Sequence, residues 1–577
     1  MRFSPLVSLV WITLLLSIAP SVYARKFTDA SGKVSVEATL PGIRGNLALL
    51  KKADGKVFEV PIARLSRPDQ EYIASKKLAL ERESDRKATR SKANGKNNSP
   101  GLGASPRAAT YHVDGDRGND RNAGSQRAPW KTLAKVNQKI GSMRPGDAVL
   151  FQRGDSWSGK LTIEKVDGKP GKEIVFGAYG PEENPKPSIE GKVTIEQASH
   201  IVLRDLEIHG STGGACVNAS FSSYLQVINN DVHDCNSNGI AYHAMVHHTA
   251  TVDNRVWDIH ANDGVSIHDV NWGEDPRPVG SHHWVIDNMF PGNYHEDAID
   301  FATNQIGAFP AGEDVKIMGN RITGAKLAGV VSGHDGRHVW IIGNIISQCG
   351  QRGAGAIQST GRRAMISGNI LFNNVRPVSL GTRGLRFRNN TLIQSEGVGL
   401  RISSTMRDGV IVCNLVYPLV THAVVLTGDQ PGNLLQKMDY NWFGYPGGQA
   451  ASRFRVDTTN LHLDKWQAQF GFDANSFSGP LEGVDAPAAA FDPPDAQQGD
   501  EFWNHFIPTA GWAGCDTADG VIGAMDCDGN RQGLEILPFA DYEENDGYGW
   551  AGPVIVQQRY PLPNAEKDGE NINGVRP

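Results

Sequence analysis

The stretches HVWIIGNII (338–346) and RAMISGNIL (363–371) decide the fold. Each is a short aliphatic run, then a small residue, then Asn, then aliphatic residues again. The pattern, with Asp or another residue sometimes before the Asn, recurs at Asn230, Asn254, Asn288, Asn320, Asn344, Asn369, Asn390 and Asn414, in steps of 24, 34, 32, 24, 25, 21 and 24 residues. A period near 24 with two longer steps marks a solenoid carrying two insertions. No ten-residue stretch shows helical periodicity, and Gly and Asn punctuate the runs, so the unit is strand and turn. One coil of a right-handed, single-stranded parallel β-helix has that length. The chain is therefore read as all-β. Its asparagines stack in a turn, each bonding the backbone of the next coil, and are structural.

Residues Met1 to Ala24 begin with Arg2, continue through the apolar run Leu6 to Ile18 and end in Val22-Tyr23-Ala24. That is the pattern of a signal peptide, so a mature start at Arg25 and a secreted, periplasmic or cell-surface location are expected. No other apolar stretch approaches the roughly 20 residues of a membrane span. A net charge of -6 argues against a nucleic-acid partner. Six cysteines in 577 residues are too few for a disulfide scaffold. Cys349 and Cys413 read as buried thiols, while Cys216 with Cys235, and Cys515 with Cys527, are plausible pairs outside the cytoplasm.

Residues 25 to 74 alternate apolar and polar over short runs with Gly at the turns. FTDASGK, KKADGK and LSRPDQEYI in this stretch resemble the small SH3-like Sla-homology module of exported bacterial proteins. The resemblance implies a β-barrel that tethers the chain to a cell-surface or protein partner. Residues 75 to 109 hold nine Lys or Arg up to Ala108 against three acidic residues and read as a disordered linker. YHVDGDRGNDRNAGSQRAPWKTLAKVN, GDAVLFQRGDSW and IVFGAYG resemble the first coils of secreted right-handed β-helix proteins, with a short helix around Trp130 to Val136 capping the open end. The solenoid is expected over 110–480 and a terminal cap and tail over 481–577. DCDGN in the tail only partly matches a calcium loop, because Arg531 stands where Gly is needed.

A second strand in each coil aligns as NGIAYHA (238–244), DGVSIHD (263–269), EDAIDFA (296–302), AGVVSGH (328–334), GAIQST (355–360), PVSLGT (377–382), VGLRIS (398–403) and AVVLTG (423–428). Ile240, Val265, Ile299, Val330, Ile357, Val378, Leu400 and Val424 form an inward column. By period two the next column points outward. It reads Ala241, Ser266, Asp300, Val331, Gln358, Ser379, Arg401 and Val425, with His243 and His268 two residues further along. Asp263 lies one coil before Asp300, and His295, Glu296 and Asp297 precede it. Bare carboxylates on coils about 4.8 Å apart repel by roughly 3 kcal/mol at an effective dielectric near 20. Such a stack needs a cation or a shared proton. Asp263, Glu296, Asp297 and Asp300 are therefore the expected calcium ligands, Asp297 only if it belongs to the turn before the strand.

Glu296-Asp297-Ala298-Ile299-Asp300 resembles the D-D-G-x-D run with which one class of parallel β-helix pectate lyases holds calcium. The same segment, with NDG (262–264) and LRI (400–402), is similar to the motifs of polygalacturonase-type glycoside hydrolases. Either resemblance implies a polysaccharide substrate. The departures are Val331 where the lyases carry a lysine base, and Ala328 and Ser403 where the hydrolases carry His and Lys. Lys326 or His334 is the substitute base, and Arg401 the clamp on a substrate carboxylate. His243, His268, Trp272, Tyr294, Gln358 and Phe309 are expected to line the groove. The leading expectation is calcium-assisted β-elimination of a uronic-acid-containing glycan by a monomeric enzyme. The alternatives are an inverting hydrolase using Asp297 and Asp300, and a non-catalytic surface rod. Zinc is disfavoured, because His233, His243, His247, His248, His260, His268, His282 and His283 form no compact pair with a third ligand.

Overall fold

A computed structural model describes residues 25–28, 35–44, 47–52, 56–66, 108–268, 281–302, 312–333, 336–393, 396–418, 422–444, 454–479, 521–525, 531–542 and 549–562. The chain divides into two compact units, residues 1–105 and 106–577. In the first, strands Arg25–Thr28, Ser35–Arg44, Leu47–Lys51 and Val57–Pro61 form an antiparallel sheet in chain order. A 3-10 turn, Ile62–Arg64, follows, and Phe27, Ala38, Ala48, Leu50 and Leu65 make a small core.

The second unit is a right-handed parallel β-helix. Thirteen strands from Thr110–Val113 to Leu435–Asp439 stack as a first sheet. A second stack contains Ile345–Ser347 and its neighbours, and a third contains Ile299–Ala302 and Val330–Ser332. The interior is aliphatic: Ile240, Val265, Ile299, Val330, Ile357, Val378, Leu400 and Val424 are all buried and pair in register.

The asparagine ladder holds the turns. In each rung the side-chain oxygen accepts the backbone N–H of the Asn one coil earlier at 2.9–3.1 Å, from Asn230 through Asn414 to a further rung at Asn441. The residue before each rung, Asn229, Asp253, Asp287, Gly319, Gly343, Gly368, Asn389 or Cys413, has φ between 51° and 67°. That left-handed conformation favours Gly, Asn and Asp, and explains the small or acidic residue preceding most rungs. Helix Leu133–Ile140 caps the first coils, burying Leu133, Val136 and Ile140, with Thr132 accepting from the Lys135 N–H. Cys216 and Cys235 are joined by a disulfide, and Cys349 and Cys413 are buried. Cys515 and Cys527 lie outside the described residues.

The C-terminal segments differ from the expected end cap. Trp550, Phe539, Ile536 and Val556 run along the flank of the first sheet and cover Trp284, Trp340 and Met365, while Ile522, Ala524 and Met525 pack on Ile345, Ile370 and Leu415 of the second stack. Trp284 and Trp340 donate their indole N–H groups to the carbonyls of Trp550 and Leu537. The outward face of the first sheet is apolar here, so the tail buries it. Beneath lies an ion pair, Lys316 with Asp314, both fully buried. The Lys316 ammonium sits over the rings of Trp284 and Trp340 at 4.8 and 4.5 Å.

Candidate functional site

Asp263 and Asp297 occupy equivalent turns just before the third-stack strands Val265–His268 and Ile299–Ala302. Their carboxylates continue a second short ladder. Asp263 N–H donates to Asn238 Oδ1 at 3.1 Å, Asp297 N–H to Asp263 Oδ1 at 3.2 Å, and Ala328 N–H to Asp297 Oδ1 at 2.5 Å. An amide in the first of these turns thus becomes a carboxylate in the next two. Asp300 lies opposite Ser266 in the outward column, and His268 reaches it diagonally from two residues further along. His268 Nε2 stands 2.5 Å from Asp300 Oδ2.

The result is a charge cluster with little access to water. Asp263, Asp297 and Asp300 are 2, 7 and 8 % exposed. Asp263, His268 and Asp300 each offer one donor atom, and the three atoms lie within 4.8 Å of one another. Burial, then Asp300 and Asp297, push the Asp263 carboxyl well above the usual carboxylate range. Asp297 is pushed up to about 7, chiefly by burial, against the lowering bond from Ala328. Burial would lower His268, but its bond to Asp300 and the surrounding carboxylates raise it. His243, its ring 5.8 Å from that of His268, is lowered to about 4 by burial and by His268. The Asp300 Oδ1 atom is buried and has no hydrogen-bond partner.

These residues fit a divalent cation. Asp263 and Asp300 supply carboxylate oxygens from adjacent coils, and the orphaned Asp300 oxygen is an open acceptor. Calcium takes such oxygens, whereas imidazole suits zinc or iron better, so His268 orients Asp300 rather than serving as a calcium ligand. Two of the four expected ligands fall outside the three-residue group. Asp297 lies in the turn before its strand, as its expected role required, and its Oδ1 accepts the Ala328 N–H, but it is not part of that group. Glu296 is half-exposed and also outside it.

Three further expectations change. Tyr294, expected as a groove wall, is fully buried against Phe290 and donates its hydroxyl to the Val256 carbonyl. Arg401 shares the outward column of Asp300, but the register runs Asp300, Val331, Gln358, Ser379, Arg401. Four rungs place its backbone about 19 Å away and that of Gln358 about 10 Å, so neither acts at the bond that Asp300 reaches. Lys326 lies in the turn next to the bridge between Tyr294 and Ala325, half-exposed. Trp272, Phe309 and His334 fall outside the described residues, as does Asp526 to Asn530 of the partial calcium motif. The expected roles missed the pairing of His268 with Asp300, because reading strict columns hides a diagonal contact.

Residues 18–79 match the family model for SLA1 homology domain 1. The N-terminal unit therefore carries the module that its sequence resembles. A stretch of 82 residues is 40% identical to a lacto-N-biosidase of Bifidobacterium longum subsp. longum, covering 14% of this chain and 5% of that protein. The chain thus spans about a twentieth of that curated relative. Among solved structures, the GH136 lacto-N-biosidase from Eubacterium ramulus aligns at 14% identity and a TM-score of 0.40, covering 64% of this chain and 67% of that one. An alginate lyase from Paenibacillus sp. str. FPU-7 aligns at 12% identity and a TM-score of 0.34, covering 61% and 99%. Among the described residues no helix is long and apolar enough to cross a membrane.

Proposed function

We propose that this chain is an exported glycan-cleaving enzyme that breaks an acidic polysaccharide by β-elimination at the Asp263, His268 and Asp300 cluster. The observation that carries the reading is the approach of two buried carboxylates from adjacent coils, with one oxygen left unpartnered. A calcium ion held by Asp263 and Asp300 would bind the substrate's uronate carboxylate and draw charge from it, acidifying the proton on the neighbouring ring carbon. His268 holds Asp300 in place. Lys326, without an ion-pair partner among the described residues, is the base that takes that carbon-bound proton; the electron pair forms the ring double bond and the glycosidic C–O bond breaks. Asp297, whose carboxyl retains its proton up to about pH 7, donates it to the leaving oxygen.

Hydrolysis is the second reading, favoured by the elevation of Asp297, which would make it a general acid. It stands second because the close approach of Asp263 to Asp300 and the unpartnered Asp300 oxygen suit a shared cation. Incubation with polygalacturonate, alginate, sulfated glycans and neutral oligosaccharides, with and without chelator, tests the proposal. Elimination gives an ultraviolet-absorbing unsaturated uronide that chelator abolishes. New reducing ends without that absorbance would transfer the reading to hydrolysis, and no product on any substrate would refute both.

A further inference from the structure

Each third-stack strand after the acidic coil is followed by a turn into the first sheet, and the register of those turns repeats one residue type. Arg337 pairs with Arg362, Arg362 bridges to Arg383, and Arg383 bridges to Arg407, so four arginines occupy one position on four consecutive coils. The coil before them places Glu313 opposite Arg337. Neighbouring coils lie about 4.8 Å apart, so this column sets like charges side by side, an arrangement that disfavours itself. It is also poorly compensated. Arg407 pairs with Asp429 and donates to the Ser404 and Met406 carbonyls. Arg337, Arg362 and Arg383 have neither an ion pair nor a side-chain hydrogen bond among the described residues. The Arg337 Nε is moreover buried without a partner, while Arg362 and Arg383 are exposed. The column follows the strands that carry Val331, Gln358, Ser379 and Arg401, the outward surface leading away from Asp300.

We propose that the Arg337–Arg362–Arg383–Arg407 column is a binding track for a linear acidic polysaccharide, whose carboxylate or sulfate groups it takes at about one per coil. Guanidinium binds either anion through paired N–H donors, so the shared chemistry is a planar oxyanion repeated along an extended chain. An extended glycan carrying about one charge per sugar has a repeat of the same order as the coil spacing. A chain with a net charge of -6 gains such affinity only from a local feature of this kind. The inference deepens the proposed function by naming the substrate's charge pattern, and it rests on that reading only for the purpose of the track.

The test is retention of the full chain on immobilised polygalacturonate and on dextran sulfate, with neutral dextran and duplex DNA as comparisons. Wild type is expected to bind both acidic glycans and elute with salt. Arg362→Gln with Arg383→Gln is expected to weaken binding on the order of tenfold or more, whereas Arg352→Gln, an exposed arginine outside the column, leaves it unchanged. Unaltered circular dichroism and melting temperature in the double variant exclude misfolding. Flow-through of wild type at low salt, equal retention of the double variant, or DNA binding as tight as glycan binding would overturn the track. Because binding is read without turnover, loss of retention in a chain that cleaves nothing would leave the track standing and remove only the elimination reading. Cleavage with undiminished retention in the double variant would do the reverse.

Discussion

Asp263→Asn is expected to make this protein more stable and inactive at once. The substitution is nearly isosteric, and the preceding coil shows that it fits: Asn238 holds the equivalent position and its Oδ1 accepts the Asp263 N–H as Asp263 Oδ1 accepts the Asp297 N–H. What disappears is a buried carboxyl within 4.8 Å of Asp300, whose ionisation burial and that neighbour oppose. At an effective dielectric near 20 that repulsion is about 3 kcal/mol, with the His268 imidazolium offsetting part of it. A net gain of about 1–2 kcal/mol at neutral pH follows, a rise of a few degrees in the melting temperature. The pH dependence has a definite sign. The folded pKa of Asp263 lies well above its unfolded value, so the native state binds more protons and wild-type stability falls as pH climbs from about 4 through the raised pKa. The advantage of Asp263→Asn should therefore be absent below about pH 4 and grow above it. Thermal melts of both proteins in chelator from pH 3.5 to 8 measure it. Added calcium should stabilise wild type and leave the variant unmoved. A variant less stable than wild type at pH 7 in chelator would refute the picture of converging, uncompensated carboxylates.

Asn344→Ala removes the acceptor of the Asn320 N–H and the donor to the Ile317 carbonyl, and leaves Asn320 Nδ2 with only its bond to the Val285 carbonyl. A loss of about 3–5 kcal/mol is expected in denaturant unfolding. Lys316→Met strands the buried Asp314 carboxylate, which also accepts from the Trp550 N–H, and should cost about 3–5 kcal/mol and open residues 549–562 to protease. Asp314 is lowered to about 2 because Lys316 and His282 outweigh the raising effect of burial. Its contribution is present above about pH 4 and lost as pH falls through 2, so the Lys316→Met deficit should shrink in acid. Asp300→Asn, which keeps the shape but loses the charge that His268 faces, should abolish product formation on any responsive polysaccharide with little change in melting temperature.

The coil architecture was legible because one residue per coil does the same job. Asn side chains satisfy the turn backbone in every coil, and the left-handed residue before each restricts what can stand there, so the pattern survives in the sequence. Asn441 escaped because Tyr440 precedes it, an aromatic residue at φ 55° that hides the motif. Alternation along the strand correctly turned Asp300 and Ser266 outward, since it holds wherever the backbone is extended. It gives no direction for a turn, which is why the sequence makes the place of Asp297 conditional on the turn where the structure puts it. Distance along the stack was also invisible: Arg401 shares a column with Asp300, and only counting rungs shows it to be four coils away. Tyr294 was misread because an aromatic residue beside acidic ones looks exposed until its ring is seen filling the interior. The Lys316 and Asp314 pair depends on a tail more than 200 residues distant, and no local pattern announces that cover.

The most direct test of the central claim is calorimetric titration of calcium into the metal-stripped full chain, wild type beside Asp263→Asn and Asp300→Asn. The account predicts one bound ion for wild type and none for either variant. Absence of binding to wild type, or binding that both variants retain, would contradict it.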